Sequence, residues 1–319
     1  MTTKYTRPLA MALFALCAPA VALSPALAKA PLVRTQAPGY YRLMLGDFEI
    51  TAISDGTVGL DATSLLHEPA DATERALARS FLTSPVETSV TAFLVNTGSR
   101  LVLIDTGAGA LFGPTLGKLL GNLRAAGYQP EQIDDVLLSH LHPDHVGGLM
   151  VNGERAFANA TIHAARRDSE YWLSQANLDK APAAAKGFFQ GAMASLAPYV
   201  ASGQYKPFDA DREIVPGVRA RASAGHSAGH TSYVIESKGA KLVVIGDLIH
   251  VAAVQLDHPS VTIAYDSDAA GAAAARQAVF ASVASEGVLV AASHVQFPGL
   301  GHLRSAGTSW QWVPANYAQ

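Results

Sequence analysis

The 319-residue chain holds one cysteine, Cys17, inside an apolar stretch near its start. The rest of the chain has no disulfide and no thiolate to offer a metal. Any ligands must come from His, Asp or Glu, and the fold must rest on core packing and bound ions. Charge is also sparse, at 15% of residues with a net charge of −3. No run of Lys or Arg occurs, which argues against nucleic acid as a partner. The apolar run from Leu9 to Leu23 is short for a membrane span and is broken by Pro19, so no membrane anchor is expected. Nothing calls for a Ser or Cys nucleophile.

Lys4 and Arg7 precede that run, and Ala26-Leu27-Ala28 follows it as a small-x-small cleavage site. Residues 1–28 therefore read as a secretory signal peptide cut after Ala28. Leu16 is too bulky for a lipobox before Cys17. The expectation is a periplasmic or secreted protein in which residues 29–319 form a single domain. At 49% hydrophobic residues, the chain can build a sizeable core.

The densest chemistry lies at Ser139-His140-Leu141-His142-Pro143-Asp144-His145-Val146-Gly147-Gly148. It follows Val136-Leu137-Leu138, a short buried strand by its pattern. His140 and His142 are two apart, so in extended backbone they share a side. Pro143 stops the strand, and Asp144 and His145 are expected from a turn. Imidazole nitrogen and carboxylate oxygen are the ligands of catalytic zinc. One ion can rarely use four such groups from so tight a segment, whereas two adjacent ions can.

The remaining chain supplies candidates at the ends of other apolar strands. Residues 29–40 read as an extended arm. Phe48 to Ile53 alternates as a strand, ended by Asp55-Gly56. A short helix is expected near Glu74 to Phe81. Thr91 to Val95 and Leu101 to Ile104 read as a hairpin that ends in Asp105, a carboxylate suited to orienting a ligand histidine. Leu116 to Ala126 has helical spacing closed by Gly127. His163 is a lone histidine on a short strand and reads as structural. Arg166 to Gln175 and Lys186 to Val200 read as helices. Ala222 to His230 repeats Ala-Gly-His, and one of His226 and His230 is enough as a ligand. Lys241 to Ile245 leads to Asp247, a helix covers Asp268 to Ala284, and Val288 to Ala292 is the last core strand, leading to His294. Ligands at the carboxyl ends of sheet strands converge on one rim.

This order of motifs resembles the metallo-β-lactamase superfamily. They are Asp105, the HxHxDH segment His140 to His145, the Gly-His turn at His226, Asp247 and His294. The resemblance implies an α/β fold, the four-layer αββα sandwich. It implies a dinuclear-metal hydrolase, cleaving lactones or aryl esters with a hydroxide held between the ions. His140, His142 and His226 would hold one divalent ion, and Asp144, His145 and His294 the other. Asp247 would bridge them, and His230 would only pack or hydrogen-bond. Zinc is the expected metal, with manganese, cobalt and iron open.

Tyr40-Tyr41-Arg42, Gly113-Pro114-Thr115-Leu116-Gly117, Trp172-Leu173-Ser174-Gln175, Gly187-Phe188-Phe189 and Val251 to Gln255 resemble the methyl parathion hydrolase family. That likeness implies a homodimer and pocket aromatics at Phe112, Trp172 and Phe188. It also implies organophosphate triester cleavage as the alternative activity. The chain departs from that family at Leu65, His250, Ile263 and Tyr265, all read as pocket residues. These departures resemble its lactone- and aryl-ester-cleaving relatives, such as dihydrocoumarin hydrolases. Asp247 and His250 are the expected catalytic residues, His250 by hydrogen-bonding a lactone oxygen or helping to protonate a leaving phenoxide. The partner is then a small ester or lactone.

Overall fold

Alternating burial along the strands builds two sheets back to back. The computed structural model describes residues 1–3, 32–209 and 211–317, so the expected signal peptide lies outside the described residues apart from its first three. Both sheets belong to the compact unit Ala37–Gln319. The first sheet contains β1 (Tyr40–Leu45), β2 (Phe48–Leu60), β3 (Val86–Asn96), β4 (Leu101–Ile104) and β5 (Asp135–Leu137). After a small hairpin of β6 (Met150–Val151) and β7 (Glu154–Arg155), it is completed by β8 (Thr161–Ala165) and β9 (Tyr205–Phe208), in the order β1-β2-β3-β4-β5-β8-β9. The second sheet runs in chain order through β10 (Arg212–Val215), β11 (Val218–Ala222), β12 (Thr231–Ser237), β13 (Ala240–Val244), β14 (Leu289–Ala291), β15 (Leu300–Ala306) and β16 (Ser309–Pro314).

Successive strand side chains face opposite ways, so each sheet feeds two cores. Phe93, Val95, Val102 and Ile104 point inward and meet Val218, Tyr233, Leu242 and Val244 between the sheets. Their neighbours Ala92, Leu94 and Leu103 face outward, onto helices α3 (Leu119–Ala125) and α7 (Ala183–Ala201). Val243 and Ile245 face outward from the other sheet, onto Phe280 and Val283 of α9 (Ala269–Glu286). The result is the αββα sandwich. Shorter helices fill the connections: α1 (Ala62–Leu65), α2 (Ala70–Arg79), α4 (Pro143–Val146), α5 (Arg166–Trp172), α6 (Gln175–Lys180) and α8 (Ala252–Gln255). Among the described residues, no helix is long and apolar enough to cross a membrane.

Several expectations need correction. Tyr40 opens β1 rather than ending an arm. Asp55-Gly56 does not end β2. The pairing with β3 shifts register between Ser54 and Gly56, and the strand runs on to Leu60 as a bulged one. Val288 to Ala292 is not the last strand, because β15 and β16 follow it. Asp144 and His145 sit on α4 rather than in a turn, since Pro143 occupies the first helical turn, where its missing N–H costs nothing.

Two parallel pairings place the site. Ile104 lies beside Leu137 and Val244 beside Ala291. The residues just past these strand ends, which include Asp105, His140, Asp247 and His294, therefore gather on one rim. Gly148 closes the HxHxDH segment where the chain presses on a neighbour: a Cβ there would lie 1.9 Å from the Thr106 carbonyl oxygen.

Candidate metal centre

The rim brings seven side chains into two clusters that share one carboxylate. His140, His142, His226 and Asp247 form the first, and Asp144, His145, Asp247 and His294 the second. Within each cluster, the candidate ligand atoms lie within 4.8 Å of one another. Asp247 Oδ2 is 3.4 Å from His226 Nε2 and 3.1 Å from His294 Nε2, so one oxygen faces both groups. Asp247 Oδ1 is 3.1 Å from His145 Nε2.

The donor set fits two cations. His140 Nε2, His145 Nε2 and Asp247 Oδ1 are buried and have no hydrogen-bond partner among the described residues. Buried polar atoms are normally satisfied, and leaving several together unmet is costly. Their contacts are close but not aligned for hydrogen bonding, as expected of atoms that converge on a point between them. All seven groups are O or N donors of the kinds that bind zinc and its neighbours.

Electrostatics point the same way. Burial holds the His140 and His142 imidazoles well below their usual range, so both are neutral donors. Burial also opposes charge on His145 and His226, but the surrounding carboxylates outweigh it and raise both, His226 to about 9. Those carboxylates are Asp247, Asp144 and Asp105 around His145, and Asp247 and Asp266 around His226. Asp247 itself is held well below the carboxylate range by His145, His294 and their neighbours, despite burial. The site asks for positive charge.

The rings are held from behind. Asp105 accepts from His145 Nδ1 at 2.9 Å, as expected, and also from the Ser139 N–H at 2.7 Å. Its backbone takes φ 61°, a strained left-handed turn that Asp tolerates better than most residues. Asp266 lies 2.8 Å from His226 Nδ1, and the Ser89 carbonyl accepts from His294 Nδ1 at 2.8 Å. Protonating Nδ1 leaves Nε2 free to face the cluster. His230 is neutral, pushed down to about 3 by burial, and its Nε2 accepts the Asp247 N–H at 3.1 Å. Asp168 is fully buried and accepts the Leu141 N–H at 3.0 Å and the Gly229 N–H at 2.6 Å, tying the two histidine loops together. His163 pairs with Asp135 at 2.9 Å, away from the clusters, as a structural histidine.

The sequence reading missed Asp266 and Asp168. Asp168 stands in the first turn of α5, where a carboxylate passes for a helix-dipole partner. Asp266 stands in a Tyr-Asp-Ser-Asp run that reads as helix entry, since Asp268 does cap α9.

Two chambers lie over the clusters. The smaller, about 160 Å³, is lined by His142, Asp144, Asp247, His250 and His294. The larger, about 690 Å³, is lined by Leu65, Trp172, Phe189 and Asn177, among others. Phe112, His142, Phe188 and Tyr265 line both. Their rings are in contact: the Phe112 and Phe188 centroids are 6.2 Å apart, and those of Phe188 and Tyr265 are 5.8 Å apart. Ile263 lines neither chamber. It is buried in a core with Leu66, Val254 and Leu77, behind the wall it was expected to form. His250 lines the smaller chamber, 3.1 Å from Asp247 Oδ2, but burial pushes its imidazole down to about 4. It is neutral at pH 7 and is not a standing imidazolium acid; a hydrogen-bonding role fits.

Gly225-His226-Ser227-Ala228-Gly229 carries the letters of the Gly-x-Ser-x-Gly elbow. Here it joins two strands, β11 and β12, where the elbow needs a strand-to-helix turn that exposes its serine. Ser227 is fully buried. The match has no nucleophile geometry.

The profile of the Metallo-beta-lactamase superfamily matches residues 85–294, and the chain belongs to that superfamily. It is 31% identical over 128 residues to N-acyl homoserine lactonase AiiA of Bacillus thuringiensis subsp. kurstaki. It is 34% identical over 123 residues to an N-acyl homoserine lactonase of Bacillus cereus. These alignments cover 40% and 39% of this chain and 43% and 41% of those proteins, so the chain spans about two fifths of the length of these relatives. Among solved structures, it resembles the hydrolase AbOPH of the beta lactamase superfamily, with TM-score 0.85 and 38% identity over 89% of this chain and all of that one. It also resembles AidC, described as a dizinc quorum-quenching lactonase, with TM-score 0.81 and 25% identity over 88% of this chain and 99% of that one.

Proposed function

We propose that the protein is a hydrolase that opens lactones and cleaves aryl esters with two divalent ions, zinc first among them. The observation that carries this reading is the pair of donor clusters joined through Asp247 at the foot of an aromatic-walled cavity. His140, His142 and His226 would hold one ion, Asp144, His145 and His294 the other, and Asp247 both. When bound, such a pair generates a nucleophile from water at neutral pH and polarises a carbonyl oxygen. The lactonases among the relatives support the substrate class.

The chain's own residues orient and enclose. Asp105, Asp266 and the Ser89 carbonyl fix three imidazoles by their Nδ1 atoms, so the donor set is arranged before substrate arrives. Phe112, Phe188 and Tyr265 form flat apolar walls around the entry, excluding water and favouring a planar ring. Trp172 and Leu65 extend those walls into the larger chamber. The neutral His250 imidazole has one N–H, which faces Asp247 at 3.1 Å; it would donate to a ring or carbonyl oxygen of the substrate once that carboxylate is taken up by the ions.

Organophosphate triester cleavage is the second reading, supported by the aromatics Phe112, Trp172 and Phe188 that match the methyl parathion hydrolase family. The polar wall at His250 favours a lactone over a dialkyl thiophosphate. Zinc-loaded protein should therefore hydrolyse dihydrocoumarin, phenyl acetate or an N-acyl homoserine lactone faster than methyl parathion, and His250→Leu should shift the ratio toward methyl parathion. Methyl parathion as the fastest substrate would favour the second reading. Full zinc content with no turnover on the panel would indicate a binding module. We further propose export after removal of residues 1–28 and assembly as a homodimer. A mature N-terminus at Lys29 and a dimer mass by light scattering are the expected results.

A further inference from the structure

The segment from Asp247 to Asp266 supplies the shared carboxylate, His250, Tyr265 and the Asp266 that holds His226. It has little regular structure of its own. Beyond single helical turns at Gly246–Leu248 and α8, its one β-bridge joins Ile263 to Leu66. The remaining backbone groups need other partners. Backbone partners such as Leu65, His67 and Trp310 meet some of them, and two side chains with no exposed surface meet others, Arg276 of α9 and Gln255 of α8. Arg276 Nε donates to the Leu248 carbonyl at 2.5 Å, and its Nη1 to the carbonyls of Pro259 and Val261, both at 2.8 Å. Gln255 accepts the His250 N–H at 2.8 Å and the Val251 N–H at 3.1 Å, and donates to the Val261 carbonyl at 3.0 Å.

A guanidinium is a costly staple here. No carboxylate hydrogen-bonds to it among the described residues; Asp266 favours its charge from a distance, but burial outweighs this and lowers its pKa, and its Nη2 is buried without an acceptor. A neutral amide reaches one of these carbonyls, that of Val261, as Gln255 shows. What the guanidinium adds is a rigid planar fork that reaches three carbonyls from one anchor. Those carbonyls sit at the two ends of the segment. Leu248 is next to Asp247, while Val261 leads into Ile263, whose N–H Asp266 accepts at 3.0 Å. Asp266 in turn holds His226, so the fork, the pocket wall and a ligand histidine form one connected unit.

We infer that Arg276 is a positioning residue that fixes the distance between Asp247 and the Tyr265–Asp266 wall, holding the shared carboxylate and the substrate cavity as one rigid piece. The inference rests on the proposed metal-hydrolase reading for its zinc and activity readouts and on geometry alone for hydrogen exchange.

The test compares full-length Arg276→Met and Arg276→Lys with the parent, each loaded with zinc and kept well below its unfolding temperature. Three measurements are made: zinc retained against a chelator, hydrogen exchange at the His250, Val251 and Ile263 amides, and KM and kcat on the best lactone. Arg276→Met should release zinc about 10–100-fold faster. It should also lose protection at those amides and raise KM about tenfold through misplaced walls. Arg276→Lys should fall between, because a compact ammonium keeps the charge and has three donors but lacks the planar fork that spans carbonyls set apart along the segment. Should Arg276→Met fail to fold, Arg276→Lys alone decides. Parental zinc retention, exchange and KM, with only a lowered unfolding temperature, would show a merely structural arginine and overturn the inference. If no lactone is turned over at all, the proposed activity fails, while zinc retention and exchange still judge the role of Arg276.

Discussion

Asp168 shows how much one buried carboxylate can organise. It accepts N–H groups from Leu141, between two candidate ligand histidines, and from Gly229, beyond a third. Burial raises its pKa above 3.8, although those N–H groups and the Ser227 hydroxyl pull it down. Asn in its place keeps the shape but turns one acceptor into a donor facing an N–H. Asp168→Asn should therefore cost roughly 2–3 kcal/mol by chemical denaturation and weaken zinc binding, although it touches no ligand atom. Equal stability of the two proteins would refute this. The same residue shows why sequence reading stops where it does. The candidate ligands His140 to His145 stood out because they crowd into six positions after an apolar strand. Asp168 and Asp266 were not, because their partners lie 27, 61 and 40 residues away and only the fold joins them.

At the level of elements, the apolar strands that lead to ligands were readable, and the edges of the sheets were not. β15 carries His302, Arg304 and Ser305 and pairs with a β16 of mixed polarity, so neither shows a clean alternation. Between neighbouring strands, Asp135 of β5 links His163 of β8 and Arg100 before β4. Burial opposes ionisation of Asp135, but these two partners win and bring its pKa below 3.8. A depressed carboxylate stabilises the fold above its unfolded pKa and loses that contribution as pH falls through the folded one. The stability advantage of the parent over Asp135→Asn should be flat near neutrality and shrink once pH drops below 3.8. Denaturation series across that range, run on metal-free protein, would show it. A difference that does not change with pH would remove the electrostatic account.

Across the whole molecule, each cluster draws on both sheets. His140, His142, Asp144 and His145 follow β5, whereas His226, Asp247 and His294 follow β11, β13 and β14. A bound cation would thus cross-link the two halves of the sandwich, in a chain whose single cysteine allows no internal disulfide. Ligands that bind only the native state stabilise it by about 2.7 kcal/mol at a hundredfold excess over Kd. Stripping the ions with a chelator should lower the unfolding temperature by several degrees, and zinc should restore it. An unchanged midpoint in demonstrably metal-free protein would contradict this.

The last ligand to be made has a particular position in time. His294 hangs from the carbonyl of Ser89, 205 residues earlier in the chain. No nascent chain can complete the second cluster until it has been synthesised through His294 and both sheets have met, and contacts of such long sequence separation form late. Metal uptake would then close the folding process rather than seed it, and an occupied centre would certify that the chain has been made and folded through His294.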